Sequence, residues 1–135
     1  MAEKARIIEL KKHLDPRGNL SVVQEHDDIP FKIARTYWIY DVPGGEYRGS
    51  HAFRKNDEMI IALSGSFDVV LDSGEGPEVY SLNRSYYGLY VPRMTWRELR
   101  NFSTNSLALV IASAAFDESD YIRDYDEFLA ALGRQ

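Results

Sequence analysis

The chain has 135 residues, a formal charge of −5, 44% apolar residues and no cysteine. That length suits one domain over 1–135, with enough apolar content to fill one core without staples. Disulfides, thiolate metal sites and cysteine nucleophiles are excluded, and the acidic balance argues against a nucleic-acid-binding surface, which carries a basic excess on one face. The longest apolar runs, such as Leu107 to Ala112, are strand-sized, and the charged N-terminus lacks a signal-peptide core, so the expectation is a cytoplasmic protein with no membrane partner.

Between Ile7 and Leu14 apolar positions are sparse, and Asp15-Pro16-Arg17-Gly18 reads as a turn. A strand follows through Leu20, Val22 and Gln24, closed by a loop at Asp27-Asp28-Ile29-Pro30. Ile33 to Tyr40 alternates, with Ile33, Arg35, Tyr37 and Ile39 on one face and Ala34, Thr36, Trp38 and Tyr40 on the other. Aromatics on both sides predict that both faces are covered. Pro43-Gly44-Gly45 breaks the run. Glu58 to Leu63 and Phe67 to Leu71 are two β-rich runs joined through Ser64-Gly65-Ser66, which reads as a hairpin connection. After the turn at 72–77, Val79 to Leu82, Gly88 to Val91, Thr95 to Phe102 and Leu107 to Ala112 continue the series at intervals of roughly 8–12 residues, the pattern of an all-β sandwich or barrel over 1–116. The end differs in kind. Asp117-Glu118-Ser119-Asp120 offers capping oxygens, and Tyr121, Ile122, Tyr125, Phe128, Leu129 and Leu132 recur at helical spacing before Gly133. One amphipathic helix over 117–132 is expected, laid on the barrel or on a second subunit.

The chemistry concentrates between Tyr47 and Gly65. His51, Phe53, Glu58 and Gly65, with Pro92, Met94, Arg97 and Asn101 further on, have the spacing of the two motifs of a cupin jelly-roll barrel. Positions 51 and 53 project to one strand face, so both look into the barrel. Phenylalanine has no lone pair and arginine stays protonated, which leaves His51 and Glu58 as too few ligands for a transition metal. No metal and no other cofactor is expected. A histidine titrating near neutrality suits general acid–base work, and Arg48-Gly49 just before it offers a guanidinium and close backbone approach for an anionic ligand. Tyrosines are numerous, nine in all, and Tyr37, Tyr47, Tyr86, Tyr87 and Tyr90 are expected around the cavity. Arg97 either holds a ligand or forms a salt bridge to Glu58 or Glu98.

The chain resembles the sugar 3,4-ketoisomerases, small cupins that act on dTDP-4-keto-6-deoxyglucose in deoxyamino-sugar biosynthesis for bacterial glycans. The resemblance runs nearly end to end, through Ile29-Pro30-Phe31, Arg48-Gly49-Ser50-His51-Ala52, Leu63-Ser64-Gly65-Ser66, Gly88-Leu89-Tyr90-Val91, Trp96 with Glu98, and the tail Asp117 to Asp126. It implies proton transfer from C3 to C4 of the hexose through an enediol, without metal, with His51 as the acid–base residue. It also implies a homodimer in which N-terminal strands are exchanged. Arg17 and Arg97 match positions at the sugar end of the pocket, while Arg48 is assigned to the pyrophosphate and Tyr37 to stacking or hydroxyl contacts. The family carries a His-x-His pair whose second member is Phe53 here, so Phe53 is expected to contact the substrate and not to act in catalysis. Two functions lead, a 3,4-ketoisomerase working with one imidazole and a cupin that binds a nucleotide sugar with impaired catalysis, ahead of a 3,5-epimerase and a metal-dependent dioxygenase.

Overall fold

The computed structural model describes residues 3–133. In chain order its strands are β1 (Arg6–Glu9), β2 (Lys12–His13), β3 (Leu20–Ser21), β4 (Arg35–Tyr40), β5 (Arg48–Phe53), β6 (Glu58–Ser64), β7 (Phe67–Asp72), β8 (Pro77–Leu82), β9 (Tyr87–Val91), β10 (Trp96–Arg100), β11 (Leu107–Ala112) and β12 (Tyr121–Ile122), followed by helix α1 (Tyr125–Leu132). One five-stranded sheet has the order β1-β9-β6-β11-β4, a second the order β12-β5-β10-β7-β8, and β2 pairs with β3 in a small ribbon. Every one of these pairings is antiparallel. This is an all-β barrel with one C-terminal helix, as the strand series predicts, and it is the cupin jelly-roll expected from the motif spacing.

Side-chain alternation decides which residues face the core. In β6, Ile60 and Ala62 point between the sheets, where they meet Val69, Leu71 and Leu99 of the opposite sheet. Met59 and Ile61, one residue out of phase, pack on the outer face with Leu10, Ile29 and Phe31. The N-terminal segment thus covers the back of the first sheet, which is why β6 reads as an unbroken apolar run instead of an alternating one. On the second sheet's outside, Ala52, Ile122 and Phe128 form a smaller cluster beneath α1.

Several expectations are corrected. The sparse N-terminal segment contains β1, paired with β9 of its own chain, and the strand expected through Gln24 is only Leu20–Ser21. Ser64-Gly65-Ser66 does not close a hairpin, because β6 and β7 belong to different sheets and the glycine turns the chain from one to the other. Gly65 has φ of 67°, and a Cβ there would lie 2.8 Å from Ser106 Cα. Sheet-to-sheet corners need the same left-handed glycine that a hairpin does. The two faces of β4 are unequal: Trp38 and Tyr40 are 58% and 61% exposed on this edge strand, while Arg35, Tyr37 and Ile39 turn inward.

The expected single helix is divided. Asp117 caps a 3-10 turn (Glu118–Asp120) by accepting from Ser119 N, β12 then pairs with β5, and Asp124 caps α1 by accepting from Glu127 N. Asp120 is buried and takes the backbone N–H groups of Lys55 and Asn56 at 2.7 and 3.2 Å. Two capping aspartates therefore stop the helix before position 125, since their side chains satisfy local N–H groups in extended conformations. No described helix is long and apolar enough to cross a membrane.

Candidate active site

The site is built where β5 and β10 run side by side with Arg97 opposite His51. Gly49 sits two residues before the histidine with φ of 69°, and a Cβ at that place would fall 2.5 Å from Arg97 Nη1. The glycine is what lets the arginine pass under the strand. Arg97 is 1% exposed, and its Nε lies 2.6 Å from Oε1 of Glu58, itself 1% exposed. Arg97 Nη2 donates to the Tyr37 hydroxyl at 2.7 Å, which in turn donates to Glu58 Oε2 at 2.6 Å. Asn56 Nδ2 donates to the same carboxylate oxygen at 3.3 Å. Burial works against the Arg97 charge, but the Glu58 carboxylate more than offsets it and holds the guanidinium above its ordinary pKa. Burial likewise pushes the Tyr37 phenol well above the usual range. This is a closed network forming the floor of the site, and Glu58 belongs to it as the partner of Arg97. Of the two salt-bridge partners considered for Arg97, Glu98 is ruled out by position, since it accepts from Ser50 Oγ at 2.9 Å.

His51 stands above this floor, 7% exposed, in a cluster of three rings: its centroid is 4.7 Å from Phe53 and 4.9 Å from Tyr121, which are 4.6 Å from each other. Its Nε2 is buried with no hydrogen-bond partner among the described residues. Burial, followed by the positive charges of Arg97, Arg123 and Arg35, lowers the imidazole pKa to about 2. The ring is therefore neutral at pH 7, with a free nitrogen to accept a proton.

A cleft of about 870 Å³ opens over His51, with Tyr37, Trp38, Arg48 and Arg97 on its walls. Its volume falls in the usual range for small-molecule sites. Of the residues singled out from sequence, His51, Tyr37, Arg48 and Arg97 meet here. Phe53 does not line the cleft; 4% exposed, it backs the imidazole and lies 5.8 Å from the Arg97 guanidinium carbon. Arg17 is not there either. It sits on the turn between β2 and β3 with its side chain 90% exposed and lies 2.9 Å from Asp15. Tyr47 lines the cleft as expected, but Tyr86, Tyr87 and Tyr90 belong to β9 and the segment before it, away from the opening. Tyr40 and Tyr121 take their place.

Sequence reasoning missed Arg35, Tyr121 and Arg123 as site residues. Arg35 Nη2 donates to the Tyr121 hydroxyl at 3.3 Å, and Arg123 lies with its guanidinium carbon 4.2 Å from the Tyr121 ring centre while paired with Glu118 at 2.8 Å. The tail motif contained the signal, but only the return of β12 to β5 shows that it reaches the histidine. Arg35 and Arg48 have no carboxylate partner among the described residues, so the cleft keeps positive charge for an anionic ligand. No cluster of three or more His, Asp or Glu side chains suited to a metal is found among the described residues.

Comparisons with known proteins show the family and the fold. The family described as "FdtA: WxcM-like, C-terminal" matches residues 3–133. The chain is 42% identical over 123 residues to the TDP-4-oxo-6-deoxy-alpha-D-glucose-3,4-oxoisomerase of Aneurinibacillus thermoaerophilus, covering 91% of this chain and 88% of that protein. A 3,4-ketoisomerase from Helicobacter canadensis superposes with a TM-score of 0.93 at 39% identity, covering 96% and 97% of the two chains. A histidine-to-asparagine mutant of the 3,4-ketoisomerase QdtA from Thermoanaerobacterium thermosaccharolyticum, in complex with TDP-4-keto-6-deoxyglucose, superposes with a TM-score of 0.95 at 32% identity, covering 100% and 98%.

Proposed function

This chain belongs to the FdtA/WxcM-like family of sugar 3,4-ketoisomerases and is an isomerase of deoxysugar biosynthesis; from that premise we propose that it converts a TDP-linked 4-keto-6-deoxyhexose to the 3-keto sugar using His51 as its only imidazole. The observation that carries the reading is that His51 lines the cleft while its buried Nε2 has no hydrogen-bond partner among the described residues. A neutral imidazole beside a 4-keto sugar can take the C3 proton, whose acidity comes from the adjacent carbonyl. The electron pair released at C3 forms the enediolate, the hydroxyl proton of O3 passes to O4, and the imidazolium returns its proton at C4 while O3 becomes the ketone. Arg97, although paired with Glu58, adds positive charge beside the developing oxyanion.

Substrate binding also changes the base. Empty, the cleft holds the imidazole neutral through burial and three neighbouring guanidinium groups. A diphosphate arriving at Arg35 and Arg48 offsets that field, so His51 becomes a stronger base when substrate is in place. The nucleotide diphosphate thus supplies electrostatics as well as anchorage.

Phe53 favours a second reading, a nucleotide-sugar-binding cupin that does not turn its ligand over. Proton NMR of the protein with TDP-4-keto-6-deoxyglucose distinguishes the two. A 3-keto product supports the isomerase; saturation transfer from bound ligand with no product supports the binder. The proposal extends to a homodimer, motivated by the exposed Trp38 and Tyr40 on edge strand β4 and by the short β2–β3 ribbon. Exchange of N-terminal segments would have to displace β1 from β9 of its own chain or leave it there and swap the ribbon. Light scattering reads the mass, and a monomer at micromolar concentration would contradict the dimer.

A further inference from the structure

The hydroxyl groups of the cleft are not equivalent. Tyr37 accepts from Arg97 and donates to Glu58 at 2.6 Å, so its proton points into the floor. Tyr121 is placed differently. The register of β12 sets it opposite Phe53, and both rings pack against His51. Its hydroxyl accepts from Arg35 Nη2, while no acceptor among the described residues takes its hydrogen. Arg123 covers the face of its ring. A phenol whose oxygen accepts from a guanidinium keeps its own O–H proton available to a ligand in the cleft.

Resting on the reading of His51 as the carbon base, we infer that Tyr121 is the group that moves the proton between the two sugar oxygens, the part of the isomerisation that one imidazole cannot perform while it holds the carbon proton. The steps balance. His51 first takes the C3 proton to give the enediolate; the Tyr121 hydroxyl then gives its proton to O4, leaving the neutral enediol, an imidazolium and a phenolate beside Arg35. The phenolate then takes the proton from O3, the O3–H electrons form the C3 carbonyl, and the C–C double bond collects the proton from His51 at C4. Tyr121 and His51 both end as they began, and no oxidant or other reactant is consumed. Phe53, adjacent to both rings, cannot substitute for either group.

The test is Tyr121→Phe, which keeps the ring in its cluster and removes only the hydroxyl. With TDP-4-keto-6-deoxyglucose in deuterated buffer, two rates are followed by proton NMR: loss of the C3 hydrogen and appearance of the 3-keto sugar. General acid–base groups contribute about 10²–10⁴-fold, so product formation is expected to fall by roughly 10²-fold or more while C3 exchange falls less than about tenfold. Tyr37→Phe serves as the contrast, because a hydroxyl locked to Glu58 should lower both rates together. Equal losses in Tyr121→Phe, no loss, or a selective loss of product in Tyr37→Phe would overturn the assignment. A wild-type protein that shows neither exchange nor product overturns the isomerase reading beneath it, and that outcome is separate from all the others.

Discussion

The floor of the cleft and the wall that the tail brings to it are both made of arginine and tyrosine, yet they are wired in opposite ways. On the floor, Arg97, Tyr37, Glu58 and Asn56 satisfy one another, with Arg97, Glu58 and Asn56 buried. On the wall, Arg35, Tyr121 and Arg123 line the opening, and no carboxylate among the described residues pairs with Arg35 or takes the Tyr121 hydroxyl hydrogen. The difference separates architecture from chemistry: the floor fixes where His51 stands, and the wall supplies what a ligand touches.

Breaking the floor should cost the most stability. Arg97→Met leaves the buried Glu58 carboxylate without its cation, and removing one member of a buried pair typically costs about 3–5 kcal/mol. Urea denaturation should show that loss, whereas a change under about 1 kcal/mol would mean that the pair is solvated. Next comes the acid side of stability. The native imidazole has a pKa near 2 against 6.5 for the unfolded chain, so only the unfolded state takes up the proton as the pH falls below 6.5. Stability from this group is present above pH 6.5 and declines on acidification, by about 2–3 kcal/mol at pH 4.5. Comparing urea midpoints of wild type and His51→Asn at pH 7 and 4.5 isolates it, with the wild type expected to lose more. On the wall the effects are smaller and appear in binding. Arg48→Ala removes an unpaired cation, and TDP affinity should fall roughly tenfold, about 1.4 kcal/mol, with no change in the urea midpoint. Calorimetric titration with TDP reads it, and unchanged affinity would place the diphosphate on Arg35 alone.

How much of this the sequence disclosed follows from which signals are local. The strand from Leu107 to Ala112 has the bounds read from its apolar run, since a buried central strand needs only local composition to be seen. Ser64-Gly65-Ser66 misleads because a left-handed glycine marks a sharp corner without saying which sheet the chain enters next. The tail misleads in a related way: Tyr121 and Ile122 fit a helical period, but they are apolar to cover His51 and Ala52 from a strand. Within the site, His51 and Arg97 were legible from motif spacing because each motif is a strand pair with fixed geometry. Arg35 and Tyr121 are 86 residues apart and meet only through sheet order, which no window along the chain contains. Arg17 was placed by resemblance alone, and within one chain it lies on the exposed β2–β3 turn beside Asp15.

The measurement that bears most directly on the central claim is C3 hydrogen exchange of TDP-4-keto-6-deoxyglucose in deuterated buffer, with wild type and His51→Asn run side by side and TDP binding confirmed for both. If His51 is the carbon base, the wild type exchanges and forms the 3-keto sugar, and the variant loses both by roughly 10³-fold while still binding TDP. Exchange that persists in His51→Asn would contradict the account, because it would put the base elsewhere in the cleft.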